Sequence, residues 1–235
     1  MAKKSAEPAQ IKGQLSLLEE ALAEPIELPT PSATDVRSSA AEGGVLRESG
    51  AEVATISGPN TRIRAGNAMQ RARSAAVAGA LQVLAKRGVK ALTMADVADA
   101  GGLARATLYN HVRDKQSLLQ LVLAHEVREL AKTFSAASTM PSALTTTARA
   151  IADHPALVGV RAHDPLALAP ISVPSAGEGW TAIRELTRQA LAARGGKASE
   201  AQVDLLLRWL TSFVAVPSDD ASRNSQASEL AKSLK

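Results

Sequence analysis

The side chains able to do chemistry in this chain crowd into one short stretch. Between Thr93 and Lys115 stand Arg105, Ala106, Thr107, Tyr109, Asn110 and His111, a cluster of hydrogen-bonding groups broken by a single small residue at 106 and by Leu108. On a helix that turns Val97, Leu103, Leu108 and Val112 inward, those six residues face outward. A guanidinium such as that of Arg105 matches the O6/N7 edge of guanine, and a carboxamide such as that of Asn110 pairs with adenine. The methyl of Thr107 suits the methyl of thymine. This is the chemistry of reading a duplex. Catalytic chemistry has no comparable foothold. The chain has no cysteine, and no nucleophile–base–orienter set, phosphate loop or dinucleotide fingerprint stands out, so no catalytic residue and no cofactor are expected. His154 follows Asp153 and His163 precedes Asp164, but the spacing fits no known metal site. His154-Pro155 and His163-Asp164-Pro165 read as turns, and no metal is expected.

Elements that would position such a cluster are legible around it. Arg71 to Arg87 carries Val77, Leu81 and Leu84 on one stripe with alanines between, and Gly88 ends it. Thr93 is a natural N-cap for a second short helix, Met94 to Ala100. Gly101-Gly102 supplies a tight turn, and small residues at Ala98 and Ala100 allow close approach. A third helix is predicted from Ala104 to Val112. Two short helices meeting at a glycine turn is the helix-turn-helix layout. Asp114 caps a fourth helix bearing Leu118, Leu119, Leu121, Val122, Val127 and Leu130. Further helices are predicted over Pro141–Asp153, Gly177–Ala193, Ser199–Val216 and Ser225–Leu234. No segment alternates as a strand would.

Composition agrees with an all-α fold. Apolar residues make up 46% and aromatics only 2%, so the core is built from Ala, Leu and Val, of which Ala and Leu favour helices. Charge is unevenly spread. Residues 1–60 hold five basic and nine acidic residues, net −4; residues 61–115 hold ten and three, net +7; the remainder is +1. Clustered basic charge is the footprint of a polyanion binder. Arg62, Arg64, Arg71 and Arg73 read as a basic arm ahead of the first helix, reaching the minor groove or serving as a solvated linker. Residues 1–60 read as a mostly disordered acidic tail. Within it, Ile11, Leu15, Leu18 and Leu22 recur at helical spacing, giving a short helix at 10–24 that either stays transient or docks on a protein partner. No apolar run reaches the ~20 residues needed to span a bilayer and no secretory signal opens the chain, so a cytoplasmic, nucleoid-associated protein is expected.

The run TMADVADAGGLARATLYNHVRDKQSLL resembles the TetR/AcrR family signature, in which a glycine-containing turn leads to a T-L-Y-x-H-F recognition helix and a K-x-x-L start to the fourth helix. AAVAGALQVLAKRGVKALT is similar to that family's first helix, and DLLLRWLTSFVAVP to its penultimate one. The resemblance covers roughly Arg71 to Leu130, with the weaker match downstream. It departs from the family pattern in two places: Ala104 stands where Ser or Thr often caps the recognition helix, and Val112 where Phe usually follows the histidine. The resemblance implies that Tyr109, His111 and Lys115 contact the phosphate backbone of double-stranded DNA. Thr93, at a helix N-terminus, is a further phosphate candidate. Arg105 and Asn110 are the expected base readers, with Thr107 and Ala106 beside them.

Beside the tail over 1–60, the same resemblance implies a DNA-binding domain over 61–115 and a helical dimerisation domain over 116–235 that also offers a place for a ligand. It implies a homodimer built from the last two helices, with Val203, Leu206, Leu210 and Phe213 as interface candidates or as core. A small apolar ligand would be lined by Phe134, Leu157, Val160, Trp180 and Trp209, with Leu130, Met140, Leu168 and Ile171 near them and Arg161, His163, Asp164 and Thr211 as polar groups; the same residues also read simply as core, with any pocket small or absent. Two functions stay open: a sequence-specific regulator, a repressor released by a small ligand, or an architectural or interaction protein without a ligand, acting through DNA and a protein partner. An enzyme is not expected.

Overall fold

The computed structural model describes residues 59–195 and 198–234, with backbone alone at 59–67 and 178. The acidic tail and its 10–24 helix lie outside the described residues, except for positions 59 and 60. Everything ordered into elements among the described residues is helical: α1 (Pro59–Arg87), α2 (Met94–Ala100), α3 (Arg105–His111), α4 (Lys115–Ala136), α5 (Met140–Ala152), α6 (Pro155–His163), a 3₁₀ turn (Pro165–Leu168), α7 (Ala169–Ser172), α8 (Glu178–Ala192), α9 (Glu200–Ala215) and α10 (Asp220–Ser233).

Three of these differ from the sequence reading. The first helix begins at Pro59, not near Arg71, so Arg71 and Arg73 ride on a helix instead of preceding one. Pro59 suits the first helical position, no proline follows it within α1, and between Pro59 and Arg71 the one glycine is Gly66, with only a modest penalty. Pro155–His163 is a helix where two turns were expected; its proline occupies the first helical position and His154 the N-cap. The last helix starts at Asp220 instead of Ser225, because the Asp219 side chain accepts a hydrogen bond from the Ser222 amide at 2.9 Å.

Chain ends of the helices are closed by specific partners. Asp114 accepts from the Ser117 amide at 2.7 Å to start α4. Ser199 and Gln202 form a reciprocal capping box at α9. Two half-buried arginines serve carbonyls left over at C-termini. Arg194 donates to the carbonyls of Phe134, Ser135 and Ala137 at the end of α4, with its guanidinium 5.6 Å from the Phe134 ring centroid. Arg161 donates to Phe213 and Val214 at the end of α9, and to Ala152 at the end of α5.

Two apolar cores result. The first joins α1, α2, α3 and the start of α4 to α5, α6 and the end of α9 through residues such as Val83, Val97, Leu108, Leu118, Ile151, Val160 and Phe213. This core runs straight across position 115. The second packs α4, α5, α8, α9 and α10 through Phe134, Leu144, Leu191, Leu206 and Leu230. Val203, Leu206 and Phe213 are almost wholly enclosed in the protomer. They are core, and the surface of α9 left to solvent is the opposite one, with Ala201, Leu205, Arg208 and Ser212.

Candidate nucleic-acid interface and body cavity

The helical pair α2–α3 is set on α1 by close backbone contact. A Cβ added at Gly79 would lie 2.4 Å from the Val97 carbonyl oxygen, and one at Gly101 would lie 2.5 Å from that of Ala75. Only glycine permits the two helices to touch there. Gly102 takes φ +64°, the left-handed conformation that turns the chain toward α3. Gly88, at φ +72°, ends α1 in the same way. Ala98 is fully buried and Val97 beneath it completes the seam.

Helix α3 then presents two faces. Leu108 and Val112 are buried, with Leu103 partly so. Arg105, Ala106, Tyr109 and Asn110 are exposed, while Thr107 and His111 sit at the edges. Tyr109 is 54% exposed, so its phenol is a surface group. Ala104 occupies the N-cap without a side-chain bond, which leaves the first amides of α3 uncapped by the chain. The missing phenylalanine at 112 is filled by Val112 at 3% exposure.

Around this face the polar groups are braced. The Thr93 hydroxyl accepts from the Asp96 amide at 3.1 Å and donates to the Asp96 carboxylate at 2.6 Å. Arg87 pairs with the same carboxylate at 2.9 Å. The Thr93 hydroxyl and the Arg87 guanidinium together hold the Asp96 carboxyl below its ordinary range. Lys115 donates from its ammonium to the Lys90 carbonyl at 3.3 Å, which ties the start of α4 to the loop after α1. Arg62 and Arg64 lie where only the backbone is described.

Behind α1, a large cavity opens among α4, α5, α6, α8 and α9, with a volume of about 760 Å³. Phe134, Leu157, Val160 and Trp180 line it, as do Leu130, Leu168, Ile171 and Thr211. Trp209 does not. Its indole N–H donates to Gln226 at 2.9 Å and its ring stands edge-on to Phe213 at 5.0 Å, facing the last helix. Arg161, His163, Asp164 and Met140 are also absent from the wall. Arg161 is spent on the carbonyls described above. Asp164 is 5% exposed and accepts from the Lys90 amide at 2.6 Å.

That last contact joins the loop after α1 to the end of α6, and sequence reasoning missed it. It also missed Gly159, where a Cβ would lie 2.3 Å from the Ala85 carbonyl oxygen. Helix α6 therefore lies against α1 with one side, while Ala156, Leu157 and Val160 face the cavity with the other. The lone glycine in an otherwise helix-favouring run was the available signal. A third omission is the wall's polar pair, His154 Nε2 against Glu126 Oε2 at 3.0 Å.

The geometry is that of a helix-turn-helix DNA-binding protein: a short helix with an exposed face of polar side chains, packed on a helical body. Residues 76–122 match the family described as bacterial regulatory proteins, tetR family, so this stretch is similar to the DNA-binding helix-turn-helix domain of those transcriptional regulators. Among solved structures it is similar to the TetR family repressor AlkX from Dietzia sp. strain DQ12-45-1b, implicated in biodegradation of n-alkanes. That match has 24% identity and a TM-score of 0.52, and covers 69% of this chain and 95% of that one. A transcriptional regulator assigned to the same family in Mesorhizobium loti MAFF303099 aligns over 73% of this chain and 96% of that one, at 18% identity and a TM-score of 0.42. No curated protein matches the chain. Among the described residues no helix is long and apolar enough to cross a membrane.

Proposed function

We propose that the chain is a ligand-responsive repressor that binds a palindromic DNA site as a homodimer in the cytoplasm. The carrying observation is the exposed face of α3, where Arg105, Tyr109 and Asn110 project from a helix whose other side is locked by Leu108 and Val112. In this reading residues 61–115 are the DNA-binding unit and 116–235 the pairing and sensing unit. Arg105 and Asn110 read base edges in the major groove. Tyr109, His111, Lys115 and Thr93 lie against phosphates and fix the register without reading sequence. The pairing surface uses the outward side of α9, with Leu205 at 49% exposure, and the exposed side of α10. The enclosed residues Val203, Leu206 and Phe213 support that surface from within.

The cavity favours a ligand-gated regulator over an architectural protein. A volume of about 760 Å³ is well inside the range of small-molecule sites. Helix α6 is the natural transmitter: a molecule pressing on Leu157 and Val160 displaces α6 against α1 at Gly159 and strains the Asp164–Lys90 link. A ligand that prefers the displaced arrangement shifts the population away from the DNA-binding one. Nuclease footprinting of the full chain on the DNA flanking its own gene tests the proposal. The expected result is a protected palindrome whose half-sites lie one helical turn, ~34–36 Å, or a multiple apart. Broad protection with no preferred site supports the architectural reading instead.

A further inference from the structure

The make-up of the cavity wall says which ligands it can hold. Among the described side chains, Glu126 and His154 are the only ionisable ones on the wall, and no described lysine or arginine reaches it. The Glu126 carboxylate is already engaged by the His154 imidazole at 3.0 Å. One more polar group stands out. The Thr147 hydroxyl oxygen is buried without a hydrogen-bond partner, on a residue 2% exposed. Thr147, Ile151 and His154 recur at i, i+4 and i+7 along the wall formed by α5 and its end. Thr147 and His154 are thus separated by about two helical turns, roughly 10 Å. Buried hydroxyls are ordinarily hydrogen-bonded, so this orphan, on a residue of the wall but just beneath its surface, is a group that an occupant partners once the wall adjusts around it.

Resting on the sensing role proposed above, we infer that the cavity takes an uncharged, mostly apolar molecule carrying a hydroxyl or carbonyl, which bonds to Thr147 or to the Glu126–His154 pair. An anionic ligand would enter without a countercharge and meet the Glu126 carboxylate. Burying an unpaired carboxylate in an apolar wall is strongly unfavourable. A cationic ligand has to displace His154 from Glu126. The ring of Phe134 is already approached by Arg194 at 5.6 Å, so a cation competes there with a charge already in place. A neutral head group meets neither obstacle.

Three probes with one chain length and different heads separate the classes, with dodecane as the headless reference: 1-dodecanol, dodecanoate and dodecyltrimethylammonium, below their micelle concentrations at pH 8. Binding to the full-length protein is followed by Trp180 fluorescence in a Trp209→Phe background and checked by calorimetry. Dodecanol should bind saturably, with each charged probe at least about tenfold weaker. The Thr147→Val variant, which removes the hydroxyl and little volume, should lower the dodecanol-over-dodecane preference by about fivefold, the worth of one neutral hydrogen bond. Glu126→Gln should narrow the dodecanoate deficit. If either charged probe binds as tightly as dodecanol, the assignment of a neutral ligand is wrong while the sensing cavity stands. If none of the three binds, the sensing role falls and the ligand class with it. An unchanged dodecanol preference in both variants removes Thr147 and the pair as the polar anchors and overturns the inference.

Discussion

At the scale of single residues, the proposed DNA-binding surface divides labour between Arg105 on α3 and Lys115 at the start of α4. Arg105 is exposed and has the fork geometry that guanine requires, so Arg105→Ala should cost ~1–3 kcal/mol on the cognate site and blur one base position. Lys115 carries a point charge, tied at one donor to the Lys90 carbonyl, with further donors for a phosphate. Lys115→Ala should weaken all sequences alike and reduce the slope of log affinity against log salt by about one; anisotropy titrations at several salt concentrations measure both.

Asp114 is the residue whose protonation state matters for stability. The Ser117 amide, followed by the Ser117 hydroxyl, holds its carboxyl below the ordinary aspartate value. A depressed folded-state pKa gives a contribution that is fully present above the unfolded value and lost as pH falls through the folded one. Asp114→Ala should therefore lower stability by ~1 kcal/mol near neutrality, the worth of an N-cap. That difference should shrink on acidification below about pH 4. Asp114→Asn should retain most of the cap at both pH values, and urea denaturation at pH 7 and pH 3 reads all three proteins.

At the scale of elements, the decisive feature is the seam between α1 and its neighbours. Gly159 lets α6 approach the carbonyls of Leu84 and Ala85, where a Cβ would lie within 2.5 Å. Gly159→Ala should destabilise the fold by ~1–3 kcal/mol, as overpacking does, and a drop in thermal midpoint checks it. What could be read from sequence at this scale follows from what is local. Caps at Thr93, Asp114 and Ser199 and the glycines at 88 and 102 act within a few residues, so α2, α3, α8 and α9 are legible with near-correct ends, and α4 at its start. Helix α6 was not, because prolines at 155 and 165 signal a helix start and a turn equally well. The length of α1 was hidden because a basic, alanine-rich stretch reads as arm or helix alike. Long-range relations stayed invisible: Asp164 lies 74 positions from its partner Lys90, and the Trp209 side chain turned toward α10 instead of the cavity.

At the scale of the molecule, the first core makes α1–α3 and the cavity-bearing helices one mechanical unit. In the proposed sensing role, that continuity carries the effect of a ligand among α4, α5, α6, α8 and α9 to α3 without a hinge of its own. It also predicts a single cooperative thermal transition for the described part of the chain, not separate melting of a head and a body. Differential scanning calorimetry distinguishes the two, since separate units would give two resolved peaks.

The most direct test of the account is a paired binding measurement on the footprinted duplex, at low and moderate ionic strength, with the wild-type chain and Arg105→Ala. The account predicts tight, salt-sensitive binding by a dimer and a loss of roughly tenfold or more in the variant, with non-cognate duplex affected far less. Wild-type protein that stays monomeric and binds no duplex at low salt would contradict it, as would a variant that holds the site as tightly as its parent.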